Sequence, residues 1–180
     1  MHKDVERILF SEDEIKNAVN ELGKRLHEDY KGRKPVVISV LKGAFIFMSD
    51  IIRAAEMNCE VDFMVAKSYG SAAVSSGSVN IVKDIDADIS GRDVLIVEDI
   101  LDTARTLAAV KEHLLGKNPA SVKICTLLDK VGAQRVSSIS ADYKCFDVEN
   151  EFVVGYGLDY AESYRDLKYI GVLRRSVYEH

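Results

Sequence analysis

The stretch VLIVEDILDTARTLAAV, Val94 to Val110, decides how this chain is read. Val94 to Val97 form an uninterrupted apolar run, which is the pattern of a strand buried on both faces. Glu98, Asp99 and Asp102 follow at once, then Thr103 and Thr106, and the spacing predicts a helix over 103–115 with Leu107, Ala108, Val110, Leu114 and Leu115 on one side. Gly116 supplies the stop signal. A strand with no polar face, a short turn and then a helix is the unit of a mainly parallel α/β sheet, and sites in such sheets lie beyond the carboxyl ends of the strands.

Three acids at that place need a reason. The backbone N–H groups near residues 103–106 stand at a helix N-terminus, which is an anion site, and the two threonines add hydroxyl donors. Like charges 4 Å apart repel by about 4 kcal/mol at an effective dielectric near 20, so the three acids cannot all face a bound anion. The conflict disappears if Glu98 and Asp99 turn toward sugar hydroxyls or a hydrated divalent cation while the helix start takes a phosphate. A ligand with ribose between phosphates fits. Taken singly, Asp102 also has the character of an ordinary helix N-cap.

The rest of the chain repeats the unit. Ser11 and Glu14 form a capping box ahead of Ile15, Ala18, Val19, Leu22 and Leu26 at helical spacing. VVISVL (Val36–Leu41) is a second strand buried on both faces, and GAFIFMSDIIRAAE reads as its following helix. CEVDFMVA, VNIVKD, ASVKICTLLDK, EFVVGYG and LKYIGVL read as further strands. SYGSAAVSSGS (Ser68–Ser78) offers almost nothing to bury and reads as a mobile loop. No internal repeat or linker divides the sequence, so residues 1–180 are expected to form one domain.

At 180 residues and 47% hydrophobic composition the chain can fill one core. A net charge of −5 and a pI near 5.4 leave no global positive field for nucleic acid or an anionic membrane, so any phosphate must be held locally. The first residues lack the apolar segment of a signal peptide, and no run reaches membrane-spanning length. The expected location is the cytoplasm. Cys59, Cys125 and Cys145, odd in number and widely spaced, read as reduced thiols in or near the core.

With these residues in view, VLIVEDILDTARTL resembles the phosphoribosyl-pyrophosphate signature of type I phosphoribosyltransferases. LKGAFIFMSDI, SYGSAAVSSGSV, KDIDADISGRDVLIVEDI, LLDK and EFVVGYGLDYAESYRDLKYIGVL, in that order, resemble the hypoxanthine (hypoxanthine-guanine) branch of the family. The resemblance implies a mainly parallel central sheet flanked by helices, with a small hood from the N- and C-terminal segments. It implies transfer of 5-phosphoribosyl from phosphoribosyl pyrophosphate to N9 of hypoxanthine or guanine, giving IMP or GMP and pyrophosphate, with magnesium (Mg2+) as cofactor.

Roles follow by the same resemblance. Glu98, Asp99, Asp102, Thr103, Ala104, Arg105 and Thr106 would bind the phosphoribosyl group, with Asp102 the catalytic base or hydrogen-bond partner at the purine N7. Lys42, Gly43 and Arg165 would hold pyrophosphate. Lys130, Phe152, Val153 and Asp159 would form the purine site, Ser68 and Tyr69 the lid, and Glu98, Asp99 and Asp159 the metal ligands. Homo-oligomers, dimers or tetramers, are usual in the family. Two departures stand out: Ala104 occupies a position where the family usually has glycine, and YKCF stands where YVGF is common. The competing readings are a transferase for another base and a regulator that binds phosphoribosyl pyrophosphate. The first is disfavoured by the lysine of LLDK and the VGYGLDY segment, the second by the lack of a basic face.

Overall fold

The computed structural model describes residues 1–68, 79–135 and 138–179. Its elements are β1 (Val5–Phe10), α1 (Glu12–Asp29), β2 (Val36–Leu41), α2 (Phe45–Ala55), β3 (Glu60–Ser68), β4 (Val79–Lys83), β5 (Asp93–Leu101), α3 (Arg105–Leu115), β6 (Ser121–Lys130), β7 (Tyr143–Val148), β8 (Val153–Val154), β9 (Ile170–Leu173) and α4 (Arg175–Tyr178).

Six strands form the main sheet in the order β4-β3-β2-β5-β6-β7. Every neighbouring pair is parallel except β3 with β4. The two continuous apolar runs, β2 and β5, lie side by side at the centre, in register from Val36 opposite Val94 to Ser39 opposite Val97. Alternation along them serves two cores. Val37, Leu95 and Val97 pack with α1 and α2, whereas Val36, Ile38, Val94 and Ile96 pack with α3. Each fully buried Val, Leu or Ile side chain contributes about 1.5–3 kcal/mol, so the centre of this sheet is its most strongly held part.

The capping box at the start of α1 is present: Ser11 Oγ accepts from Glu14 N and the Glu14 carboxylate accepts from Ser11 N. Such a cap is worth about 1 kcal/mol. Ile15, Val19, Leu22 and Leu26 form the buried stripe against α2 and the sheet. The three cysteines are free, with Cys125 buried.

A second, three-stranded antiparallel sheet, β1-β9-β8, joins the two ends of the sequence, with Val5 opposite Leu173 and Phe10 opposite Ile170. This is the expected hood. β1 and β7 are additional to the strands the pattern indicated, because each mixes exposed and buried positions without clean alternation. Three boundaries also differ. β5 continues through Glu98 and Asp99 to Leu101, so those acids sit within the strand and α3 begins two residues later than expected, at Arg105. Leu115 is 51% exposed and lies off the buried face of α3. EFVVGYG shrinks to the two-residue β8, because Gly155, Tyr156 and Gly157 all take positive φ and turn the chain. Ser68 ends β3, its backbone paired with Val79, while Tyr69 and the remainder of the expected lid lie outside the described residues. Among the described residues no helix is long and apolar enough to cross a membrane.

Candidate active site

The strand order reverses at β2 and β5: from β2 the chain runs outward to β3, and from β5 it runs the other way to β6 and β7. Their carboxyl ends therefore open a crevice, and of the sequence-predicted residues Asp99, Asp102, Lys130, Phe152, Val153 and Asp159 line one cavity. At the end of β2 the Leu41–Lys42 peptide is cis, and Lys42 and Gly43 follow. A side chain at Gly43 would occupy the space of the Asp99 carboxylate, so glycine is required for β5 to bring its acid alongside the loop. A side chain at Gly157, in the hood loop, would in turn collide with the carbonyl of Gly43. Three segments distant in sequence thus meet at Gly43, β5 through the Asp99 carboxylate and the hood loop through the backbone of Gly157.

The two acids of β5 have different surroundings. Glu98 Oε2 is buried with no hydrogen-bond partner. Burial, reinforced by the neighbouring Asp99 charge, pushes the Glu98 carboxyl well above its ordinary value. Asp99 Oδ1 accepts from Ile100 N at 2.7 Å. Burial pushes the Asp99 carboxyl up to about 6, against the opposing influence of that backbone donor and of Arg165, with Asp159 adding to the rise. A buried acid without a partner is a strained arrangement that a ligand hydroxyl or cation would relieve.

Asp102 is not the N-cap of α3. That position is Ala104, in the left-handed conformation with φ 63° and ψ 3°, and no side chain caps the helix. The N–H groups of the first turn, which starts at Arg105, are left for an anion. Ala104 thus takes the positive φ for which glycine is usual, with its methyl buried. Thr103 is exposed and Thr106 is half-buried in the first turn of α3.

The Asp102 carboxylate instead meets the end of β6: Lys130 Nζ donates to Asp102 Oδ2 at 3.0 Å. This pair lines a cavity of about 250 Å³ that also includes Asp99, Phe152, Val153 and Asp159. Ile100, Glu151 and Leu158 complete it and carried no signal in the sequence. Larger clefts of about 770 and 510 Å³ run along α1 and α2 and include none of the predicted site residues. Phe152 is 37% exposed, stacked on Tyr178 at 4.8 Å between ring centroids and met edge-on by Tyr160. Such aromatic contacts contribute roughly 0.5–1.5 kcal/mol and hold the ring in place.

Arg165 extends from the hood to Gly157 O (2.8 Å) and to Asp159 Oδ1 (2.9 Å). Lys42 and Arg165 also share a partner absent from the sequence reading, Glu162. Among the described residues no three His, Cys, Asp or Glu side chains converge as a preformed metal centre. Beside Lys130, the buried Asp129 pairs with Arg135 and with Lys144, the lysine of YKCF, so the departure in that segment braces the end of β6 that carries Lys130.

Comparison with known proteins shows the family and the fold. The phosphoribosyl transferase domain model matches residues 9–161. The chain is 49% identical over 178 residues to a hypoxanthine-guanine phosphoribosyltransferase of Streptococcus thermophilus (strain CNRZ 1066), covering 99% of this chain and 98% of that one. It superposes on the crystal structure of a Staphylococcus aureus hypoxanthine phosphoribosyltransferase with a TM-score of 0.95 at 44% identity, over 100% of this chain and 97% of the other. A Trypanosoma cruzi hypoxanthine phosphoribosyl transferase, studied for the role of its C-terminal region in oligomeric state and activity, gives a TM-score of 0.92 at 42% identity, over 99% and 96%.

Proposed function

The chain belongs to the phosphoribosyl transferase family, and from that premise we propose that it transfers the 5-phosphoribosyl group of phosphoribosyl pyrophosphate to N9 of a 6-oxopurine. It is a purine-salvage enzyme of the hypoxanthine-guanine type. The bond from C1′ to the purine N9 forms, the bond from C1′ to the pyrophosphate oxygen breaks, and the purine loses one proton. The observation that carries the reading is the Asp102–Lys130 pair facing Phe152 across a cavity sized for a base, beside an uncapped helix start.

Each group has one task. The N–H groups opening α3, with Thr103, Ala104, Arg105 and Thr106, hold the 5-phosphate. Glu98 and Asp99 accept from the ribose hydroxyls, which supplies the partner that Glu98 Oε2 lacks. Lys130 donates to the purine O6, Phe152 covers one face of the ring, and Val153 offers main-chain groups to its edge. Asp102 takes the proton at N7 or holds it by a hydrogen bond as positive charge develops on the sugar. Lys42, Gly43 and Arg165 hold the departing pyrophosphate, and Ser68 and Tyr69 belong to the lid.

Magnesium keeps most of its waters and binds through one or two carboxylates together with substrate phosphates. Glu98, Asp99 and Asp159 fit that manner of binding, since no fixed cage is needed. When bound, the cation neutralises charge on the pyrophosphate. We further propose a homo-oligomer, dimer or tetramer.

A spectrophotometric assay with phosphoribosyl pyrophosphate, magnesium and each of hypoxanthine, guanine, xanthine and adenine tests the assignment, with a chelated control. Nucleotide formation from a 6-oxopurine, lost on chelation, is the expected result. Turnover of adenine alone, or of no base, would overturn it.

A further inference from the structure

The two cations assigned to pyrophosphate are already bridged by a carboxylate of the same chain. Lys42 Nζ donates to Glu162 Oε1 at 3.0 Å, and Arg165 Nη2 donates to Glu162 Oε2 at 3.2 Å. One oxygen serves each cation, as two oxygens of a single phosphate would. The Glu162 backbone is held by its own N–H, which donates to Asp159 Oδ2 at 2.9 Å, and by the turn closed between Tyr160 and Ser163. Ala161 and Glu162 have positive φ, so the turn presents this side chain toward Lys42 and Arg165 at the expense of an unfavourable backbone. Both cations hold the Glu162 carboxyl below its ordinary range, Lys42 foremost.

We propose that Glu162 is an internal stand-in for one phosphate of pyrophosphate. It holds Lys42 and Arg165 at a phosphate-ready spacing in the empty site, yields as the diphosphate enters, and returns as it leaves. The inference rests on the assignment of Lys42 and Arg165 to pyrophosphate. The Glu162 side chain is 64% exposed, against 29% for Asp159, the other carboxylate on Arg165. Exposed ion pairs are weak, so Glu162 is the partner that can be displaced. Asp159 and the Gly157 carbonyl keep Arg165 aimed during the exchange. Two long side chains that would otherwise sample many rotamers are thereby ordered before the ligand arrives, and an internal competitor is present when the product must depart.

Calorimetric titration of inorganic pyrophosphate, in magnesium buffer, into the full chain tests this. Glu162→Gln keeps the shape and removes the charge, and it is expected to bind about three- to tenfold more tightly than the parent, since the competitor is an exposed ion pair. Asp166→Asn, which removes the same unit of charge one residue from Arg165, should change affinity less than about twofold. Equal or weaker binding by Glu162→Gln would overturn the stand-in role, as would equal tightening in both variants, which would reduce the effect to net charge. If the parent and both variants all fail to bind pyrophosphate, the assignment of the site itself falls, and the inference with it.

Discussion

Lys130 Nζ lies 3.0 Å from Asp102 Oδ2, joining the end of β6 to the turn after β5 in the lining of one cavity. The lysine side chain is only 12% exposed and the aspartate 44%. One member therefore anchors the pair and the other remains reachable by a ligand. In the proposed purine site this pair would offer a donor and an acceptor already at fixed separation, which lowers the ordering required at the reacting centre.

Asp102→Asn should lower kcat by about 10²- to 10⁴-fold, the range of a general base, while KM for the purine changes only a few-fold. Steady-state kinetics with hypoxanthine provide the check. Mild, equal changes in both constants would show that Asp102 does not act on a proton.

Gly43→Ala drives a methyl into the Asp99 carboxylate. Overpacking of this kind costs about 1–3 kcal/mol, so a melting temperature lower by several degrees is expected, with at least a tenfold loss of kcat/KM for the activated sugar. Unchanged kinetics would separate the loop after β2 from the reaction.

Asp99 has its pKa raised by folding from the ordinary 3.8 to about 6. The folded chain therefore binds more protons than the unfolded chain between those values, so the contribution of Asp99 to stability falls as pH rises through that window and stays unfavourable above it. Asp99→Asn should stabilise the ligand-free protein by roughly 1–3 kcal/mol at pH 7.5, with the gain vanishing near pH 4. Denaturant melts at the two pH values decide this. A gain that persists at pH 4 would assign it to something other than ionisation.

Ala104→Gly relieves a left-handed alanine, which costs roughly 1 kcal/mol, but it also removes a buried methyl and loosens the unfolded chain. Stability should change by less than about 1 kcal/mol, and affinity for the 5-phosphate should be equal or higher. A clear loss of activity would mean that the methyl itself shapes the loop.

The centre of the fold was legible because β2 and β5 are buried on both faces and so carry an unbroken apolar signature. β1 and β7 were not, since edge and hood strands are selected by partners far away in sequence rather than by their own periodicity. The site divides in the same way. Asp99, Asp102 and Lys130 line the cavity, and the resemblance of their motifs had already marked them. Glu162, Tyr178 and the Arg135–Asp129–Lys144 cluster had no such mark, because each matters only through a long-range contact. Asp102 is no helix cap because β5 runs on past Glu98 and Asp99 to Leu101 and the N-cap moves to Ala104.

Because β1 pairs with β9, the small sheet is closed by two segments far apart in sequence, Val5–Phe10 and Ile170–Leu173. Bringing such distant segments together costs more chain entropy than pairing β2 with β3, so this sheet is expected to form after the main one and to open before it. Amide exchange should accordingly be faster in β1 and β9 than in β2 and β5.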